Sequence, residues 1–558
     1  MEKRPSMTEP IPSSQNPLLG RGVPFRFEEL SELGPPPEHW PTPPDVVSSI
    51  PRPSAAEGDL AFLTISEAST LIKAGDISPV ELTRALLTRI ERVNPLLNAF
   101  ITVTADLAMS QAKAAEKAIH RGEYLGPLHG IPVTLKDLVA TAGVLTTGGT
   151  GALADWIPKE DATVWRRLRE AGATLLGKMN LHEMAAGSTN LNPFYGASRN
   201  PWNPECITGG SSGGSGAAVA GHLCLGSIGS DTGGSIRMPA SLCGTVGIKP
   251  TFGLVSTRGA LYLAWTNDHL GPLTKTVEDA ALMLNTIAGH DTLNPLSAPL
   301  PSQDYTSHLN DGIAGMRIAI PLNYFWELEL TTGEDGTEMR VEPDPQVVTA
   351  VRDGIRVLKD LGATVEEITI DGLDELLRRP LTDATFERAF YLEAISEERK
   401  ARFSQRYRDG LTRGLTASGV EYLRTLQRGH QVQVALETAL EPYDAFVMPT
   451  TPIVAVPIKA AEAASALAEA EAAALREAGD PAPRARERGP TATIGRYTGP
   501  FNRSGQPAIT FPCGFTTDGL PIGMMVVGKR FAESTILRIG HSYQQATNWH
   551  NRRPPLLD

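Results

Sequence analysis

Residues 206–235 read CITGGSSGGSGAAVAGHLCLGSIGSDTGGS. Two Gly-Gly-Ser turns, at Ser211 and Ser235, flank an apolar run of small residues. Glycine permits positive φ and lets backbone N–H groups approach a reacting atom closely. A serine in such a turn has the makings of an exposed nucleophile beside an oxyanion hole. Two plainer readings compete. A flexible Gly/Ser linker would not carry the apolar Ala217–Ala220 and Leu223–Leu225, nor Asp231 and Arg237 bracketing Ser235. A membrane span needs a continuous apolar run, and 13 of the 25 residues from 206 to 230 are Gly or Ser.

A serine needs a base. Gly209-Gly210-Ser211-Ser212-Gly213 fits the nucleophile-elbow pattern G-x-S-x-G, which is frequent in glycine-rich sequence and weak alone. Upstream, Gly130-Ile131-Pro132-Val133-Thr134-Leu135-Lys136-Asp137 sets a lysine after a short apolar and β-branched run that reads as a strand. A lysine there is ordinarily a solvated residue. With 75 residues from Lys136 to Ser211 and 24 more to Ser235, the pieces make a pattern.

That pattern resembles the amidase signature family. The matching stretches are 130–137, 209–215, Gly-Ser-Asp-Thr-Gly-Gly-Ser-Ile-Arg-Met-Pro-Ala at 229–240 and Cys-Gly-Thr-Val-Gly-Ile-Lys-Pro-Thr at 243–251. The likeness runs from about residue 60 to the C-terminus. It includes Asp268-His269-Leu270-Gly271-Pro272, the segment Tyr443–Pro452, and Phe501–Ala508. The resemblance implies a Ser–cis-Ser–Lys triad: Ser235 as the acylated nucleophile, Ser211 after a cis peptide as proton relay, and Lys136 as base. It also implies an oxyanion hole from the backbone of Thr232, Gly233, Gly234 and Ser235. Asp231 and Arg237 are then either supports of that loop or a simple structural ion pair, with the second favoured. By position, Met184, Ala185 and Gly187 fall where the family lines its acyl pocket; being small or apolar, they favour an uncharged acyl group.

The chemistry is physically coherent. A hydroxyl attacks well only if something removes its proton. A lysine at its ordinary pKa of about 10.4 is protonated at pH 7 and cannot do so. Burial disfavours the charged form, so a neutral amine becomes available.

Other chemistries fit less well. A Ser-His-Asp hydrolase would need one of the eleven histidines placed by the fold, and none completes a comparable pattern. Gly172–Lys178 fits G-x-x-x-x-G-K, but Met179 stands where a phosphate loop needs Ser or Thr, and the interior reads as a buried strand. Four cysteines without C-x-x-C spacing argue against a zinc cluster. No metal or organic cofactor is expected.

The elements that must position these residues follow from the rest of the chain. Its 558 residues, 41% hydrophobic, supply a substantial core. Length alone suggests three or four domains; the continuous resemblance points instead to one α/β unit, a mixed central sheet flanked by helices. Residues 1–58 are proline-rich and aperiodic, an extended arm outside the core, disordered or wrapping over the body or a second subunit through Phe25, Phe27 and Trp40. The remainder, 59–558, is the catalytic domain with a helical insertion around 455–490. Thr64–Glu67 and Ser78–Glu81 read as capping boxes, and Leu82, Leu86, Ile90 and Val93 recur at helical spacing. Helices are expected over 105–121, 161–171 and 276–289, with 345–440 mostly helical and polar. The alanine-rich 460–478 reads as a surface helix, or else a mobile cover over the acyl pocket; Leu467 and Leu475 are its only large apolar residues. Strands over 508–512 and 524–528 are expected around Thr517-Asp518-Gly519.

A net charge of −12 disfavours nucleic-acid backbones as partners. Few cysteines and no apolar leader after Met-Glu-Lys-Arg fit a cytoplasmic protein. The expected function is hydrolysis of a small-molecule carboxylic amide, with esters and carbamates open to the same machinery. No nucleic-acid or membrane partner is expected, and a homodimer is one option. The resemblance leaves two alternatives: the A subunit of a tRNA-dependent amidotransferase, which supplies ammonia from glutamine, and a noncatalytic binding protein on the same fold. The arm and the insertion favour a freestanding hydrolase. Tyr262, Trp265 and Phe501 could add aromatic surface to the pocket or simply fill the core.

Overall fold

The computed structural model describes residues 30, 32–35 and 60–555, apart from 302, 327–328, 333–337, 379–382, 394, 482 and 484–488. Phe25, Phe27 and Trp40 lie outside the described residues. Among the described residues, fifteen strands follow in chain order. The first eight are β1 Phe100–Val103, β2 Pro132–Lys136, β3 Thr174–Met179, β4 Arg199–Asn200, β5 Asn203–Ile207, β6 Gly226–Asp231, β7 Val246–Lys249 and β8 His269–Thr274. The others are β9 Arg317–Pro321, β10 Glu329–Thr332, β11 Glu338–Val341, β12 Thr364–Ile368, β13 Ala445–Pro449, β14 Ala508–Phe515 and β15 Pro521–Gly528.

Eleven of them form one sheet in the order β1-β3-β2-β6-β8-β7-β14-β15-β13-β9-β12; β4-β5 and β10-β11 pair separately. Strand β2 runs parallel to both β3 and β6, while β6-β8 and β14-β15 are antiparallel, so the sheet is mixed. Every residue of β2, β3, β6 and β8 is buried, as expected where helices cover both faces. The α/β architecture anticipated from the chain is the observed one.

Local signals produced the elements they should. Thr64 and Ser78 each close a reciprocal capping box, with Glu67 and Glu81, satisfying N–H groups that the first helical turn leaves open. Leu82, Leu86, Ile90 and Val93 are buried on one face of the helix Pro79–Leu97. Helices Ala105–His120, Thr163–Glu170 and Val277–Ile287 lie within the expected spans. Thr174–Met179 is the buried strand β3 rather than a phosphate loop.

One stretch differs. Within the region expected to be helical, Thr364–Ile368 is the edge strand β12, parallel to β9. Its Thr-Val-Glu-Glu-Ile sequence is polar and largely solvent-facing, so it lacks the apolar run by which central strands declare themselves.

The alanine-rich segment is a helix, Ile458–Glu477, with Ile458, Ala461, Ala468 and Ala472 buried. Leu467 and Leu475 point outward, 61% and 40% exposed. The alanine face does the packing, because small side chains let another element approach closely. At the other end of the chain, Leu30 joins the core, and Arg399 Nε donates to Gly34 O at 2.6 Å. All four cysteines are free and buried. Among the described residues, no helix is long and apolar enough to cross a membrane.

Candidate active site

Parallel neighbours β2 and β6 end side by side, a crevice where open α/β sheets usually bind ligands. The C-terminal residue of β2 is Lys136; the last two of β6 are Ser230 and Asp231. Lys136 is fully buried, with Nζ 2.6 Å from Ser211 Oγ and 2.9 Å from Ser230 Oγ. Burial pushes its pKa down to about 7, against the opposing pull of Asp231 and Asp268. A large share of the amine is therefore neutral near pH 7.

Ser211 precedes the short helix Gly213–Ala220, and the Gly210–Ser211 peptide is cis. The next residue ties the two serine turns together. Ser212 N donates to Ser235 O at 3.3 Å, and Ser212 Oγ donates to Ser230 O at 3.1 Å. Ser235 is 5% exposed, and its Oγ makes no hydrogen bond to another described residue. Beside it, a Cβ on Gly233 would meet nothing within 4 Å, so that backbone borders open space. Gly234 is held at φ +128°, where a Cβ would lie 2.0 Å from Thr498 Oγ1. Only glycine serves there.

The Asp231 carboxylate organises this loop. Oδ1 accepts from Gly234 N at 2.7 Å, Arg237 Nη2 at 2.9 Å and Asn502 Nδ2 at 2.8 Å. Oδ2 accepts from Ile236 N at 3.1 Å and Arg237 Nε at 3.0 Å. Burial alone would raise the pKa of Asp231; the Arg237 guanidinium and these bonds outweigh it and hold the carboxyl well below the usual range. The ion pair is thus also the support of the serine loop, so the two roles weighed from the sequence coincide. The Gly234 N–H, counted with the oxyanion donors, is instead spent on Asp231. The N–H groups of Thr232, Gly233 and Ser235 find no acceptor among the described residues.

Two residues with no assigned role from the sequence belong to the cluster. Ser230 is the second contact of Lys136. Asp268 accepts from Thr232 Oγ1 at 2.5 Å, Leu263 N at 2.8 Å and Ala264 N at 3.1 Å, and burial raises its pKa to about 7. Both stand inside motifs already singled out, yet only strand pairing brings them to Lys136 and Thr232.

The expected pocket residues flank the cis peptide. His182 N donates to Ser211 O at 3.1 Å, and Gly187 packs against the His182 ring. Met184 and Ala185 both adopt left-handed backbone, at φ 46° and 61°, a rarity for non-glycine residues that tends to gather at ligand sites. Met184 lies over Gly148. Tyr262 is buried, Trp265 half-buried, and Phe501 stacks on Phe325 in the core. His269 faces Asp231, but its Nδ1 is 2.6 Å from Asn267 O and its Nε2 3.3 Å from Lys249 Nζ. Among the described residues no histidine ring bonds to the hydroxyl of Ser211 or Ser235.

Residues 81–537 match the Amidase family. The chain belongs to the amidase family. A relative from Moorella thermoacetica, the A subunit of Glutamyl-tRNA(Gln) amidotransferase, is 39% identical over 536 residues, spanning 89% of this chain and 99% of that protein. The solved structure of the corresponding Thermotoga maritima protein, also the A subunit of Glutamyl-tRNA(Gln) amidotransferase, is 30% identical. Its TM-score is 0.69 over 88% of this chain and 96% of its own. A solved 6-aminohexanoate cyclic dimer hydrolase with substrate is 28% identical, with a TM-score of 0.77 over 90% of this chain and 100% of its own. Proteins similar to this chain thus include both amidotransferase A subunits and a cyclic dimer hydrolase, and the relative at 39% identity is one of the former.

Proposed function

We propose that this amidase breaks the C–N bond of a carboxamide through an acyl-enzyme on Ser235. The observation that carries the reading is the buried Lys136 amine, 2.6 Å from Ser211 Oγ and depressed to a pKa of about 7. As Ser235 Oγ attacks the carbonyl carbon, its proton passes to Ser211 Oγ while the Ser211 proton passes to neutral Lys136. The carbonyl oxygen takes the negative charge beside the N–H groups of Thr232, Gly233 and Ser235, where the fixed loop needs no reorganisation. The proton then returns to the leaving nitrogen, the C–N bond breaks, and ammonia or an amine departs. Water repeats the sequence on the ester.

Which amide is attacked is a second choice. The amidotransferase relatives support glutamine as the amide, with the ammonia consumed by a partner protein, more strongly than they support a freestanding hydrolase. Esters and carbamates remain substrates for the same groups in this proposal.

Ammonia release from glutamine and from a panel of simple amides, combined with peptide mapping of the trapped acyl group, tests the reading. Label on Ser235 and none in Ser235→Ala is the expected result. Label on Ser211 or Ser212, or undiminished turnover in Ser235→Ala, overturns it. Copurification with other proteins separates the amidotransferase from the freestanding form.

A further inference from the structure

A cavity of about 280 Å³ is lined on one side by the His182–Pro193 segment and on another by Ser465 and Glu469 of the helix Ile458–Glu477. Its floor includes His182, whose backbone donates to Ser211. Its far wall carries Arg388 and Tyr407. The size is near the lower end for small-molecule sites.

The polar atoms in this wall are unevenly served. The two buried carboxylates are already engaged. Glu183 accepts from Thr150 Oγ1 at 2.9 Å, Ser404 N at 3.0 Å and Ser404 Oγ. Asp409 accepts from Gln405 Nε2 at 2.8 Å and pairs with Arg476. By contrast, the Nε of Arg388, the hydroxyl of Tyr407 and Nδ1 of His182 are buried with no hydrogen-bond partner. Tyr407 is 3% exposed. Leaving such groups unmade costs about 1–3 kcal/mol each, so a set of them around one cavity calls for a ligand.

The arginine is also deliberately accommodated. A Cβ on Gly410 would lie 1.8 Å from Arg388 Nη2, so glycine at that point in the helix Gln405–Thr416 makes room for the guanidinium. The guanidinium rests 5.0 Å from the Tyr407 ring centroid. The lining residue His182 connects the cavity to the lysine: its backbone N donates to Ser211 O at 3.1 Å, and Ser211 Oγ lies 2.6 Å from Lys136 Nζ.

We infer that this cavity is a subsite for a carboxylate carried by the amide substrate, held by Arg388 and Tyr407. Hydrogen-bond donors there outnumber unengaged buried acceptors, and a planar guanidinium suits a carboxylate geometrically. This inference rests on the carboxamide reading above and narrows its substrate class to amides with an acidic tail.

The test uses Ser235→Ala protein, which separates binding from turnover, with glutaramate and its neutral chain-length counterpart valeramide as probes in calorimetry. Glutaramate should bind roughly tenfold or more tightly than valeramide. Arg388→Met in the same background should erase that preference, and Tyr407→Phe should reduce it while keeping the ring. Equal affinity for the two probes, or an Arg388→Met variant that weakens both alike, overturns the subsite. Preference for glutaramate without ammonia release by the wild-type protein would sink the functional reading and leave the subsite standing.

Discussion

The loop under Ser235 and the cavity beneath the helix Ile458–Glu477 handle buried charge in opposite ways. Both oxygens of Asp231 are saturated, by backbone N–H groups, by Asn502 and by both faces of the Arg237 fork. In the cavity, Arg388, Tyr407 and His182 each keep a buried polar atom without a partner. The first arrangement is complete before any substrate arrives, which suits a loop that must hold N–H groups still while charge develops. The second is incomplete alone, which suits a surface that recognises something. In the proposed reading, fixed chemistry and selectivity are built from the same residue types, and what differs is whether their bonds are already spent.

That contrast can be broken, beginning where the effect is largest. Lys136→Ala should lower kcat/KM by about 10²–10⁴-fold, the usual range for losing a general base. In the wild type, kcat/KM should rise through pH of about 7, because only the deprotonated amine accepts a proton and burial sets its pKa there. An unchanged profile in the variant would assign the ionisation to another group.

Next comes stability. Arg237→Met leaves the Asp231 carboxylate buried without its cation and should cost about 3–5 kcal/mol in urea unfolding. Arg388→Met, whose guanidinium has an unsatisfied nitrogen, should cost no more than about 1 kcal/mol. Similar losses for the two would erase the distinction between them.

A smaller effect sharpens the electrostatics. The Asp268 charge raises the Lys136 pKa, so Asp268→Asn should move the ascending limb to lower pH, by at most about one unit. A shift to higher pH would show that lost support of Thr232 dominates instead. The smallest change is expected at Leu423, 64% exposed on the helix Gly419–Leu440. Leu423→Ser should stay within about 0.5 kcal/mol of wild type and leave kcat/KM unchanged.

What could be read in the chain was whatever is local or carried by motif. The capping boxes at Thr64 and Ser78 need only four consecutive residues, and both formed. The Gly-Gly-Ser turns and the strand ending at Lys136 were visible for the same reason. Edge strand β12 was not, because its two adjacent glutamates conceal the period-2 signal. The buried face of the helix Ile458–Glu477 was equally hidden: sequence points to its leucines, while its alanines pack.

The sequence by itself determined the residue types, their order and the backbone freedom around Ser211 and Ser235. Tertiary structure alone decided that β2 and β6 lie side by side, so that Lys136 meets Ser230 as well as Ser211. It alone buried Lys136 and so brought its pKa down to about 7, since desolvation depends on everything packed around a group and not on its neighbours in the chain. It also set Arg388 against Gly410, a contact no local pattern announces, because a glycine's usefulness there is the space it leaves for a side chain from another helix.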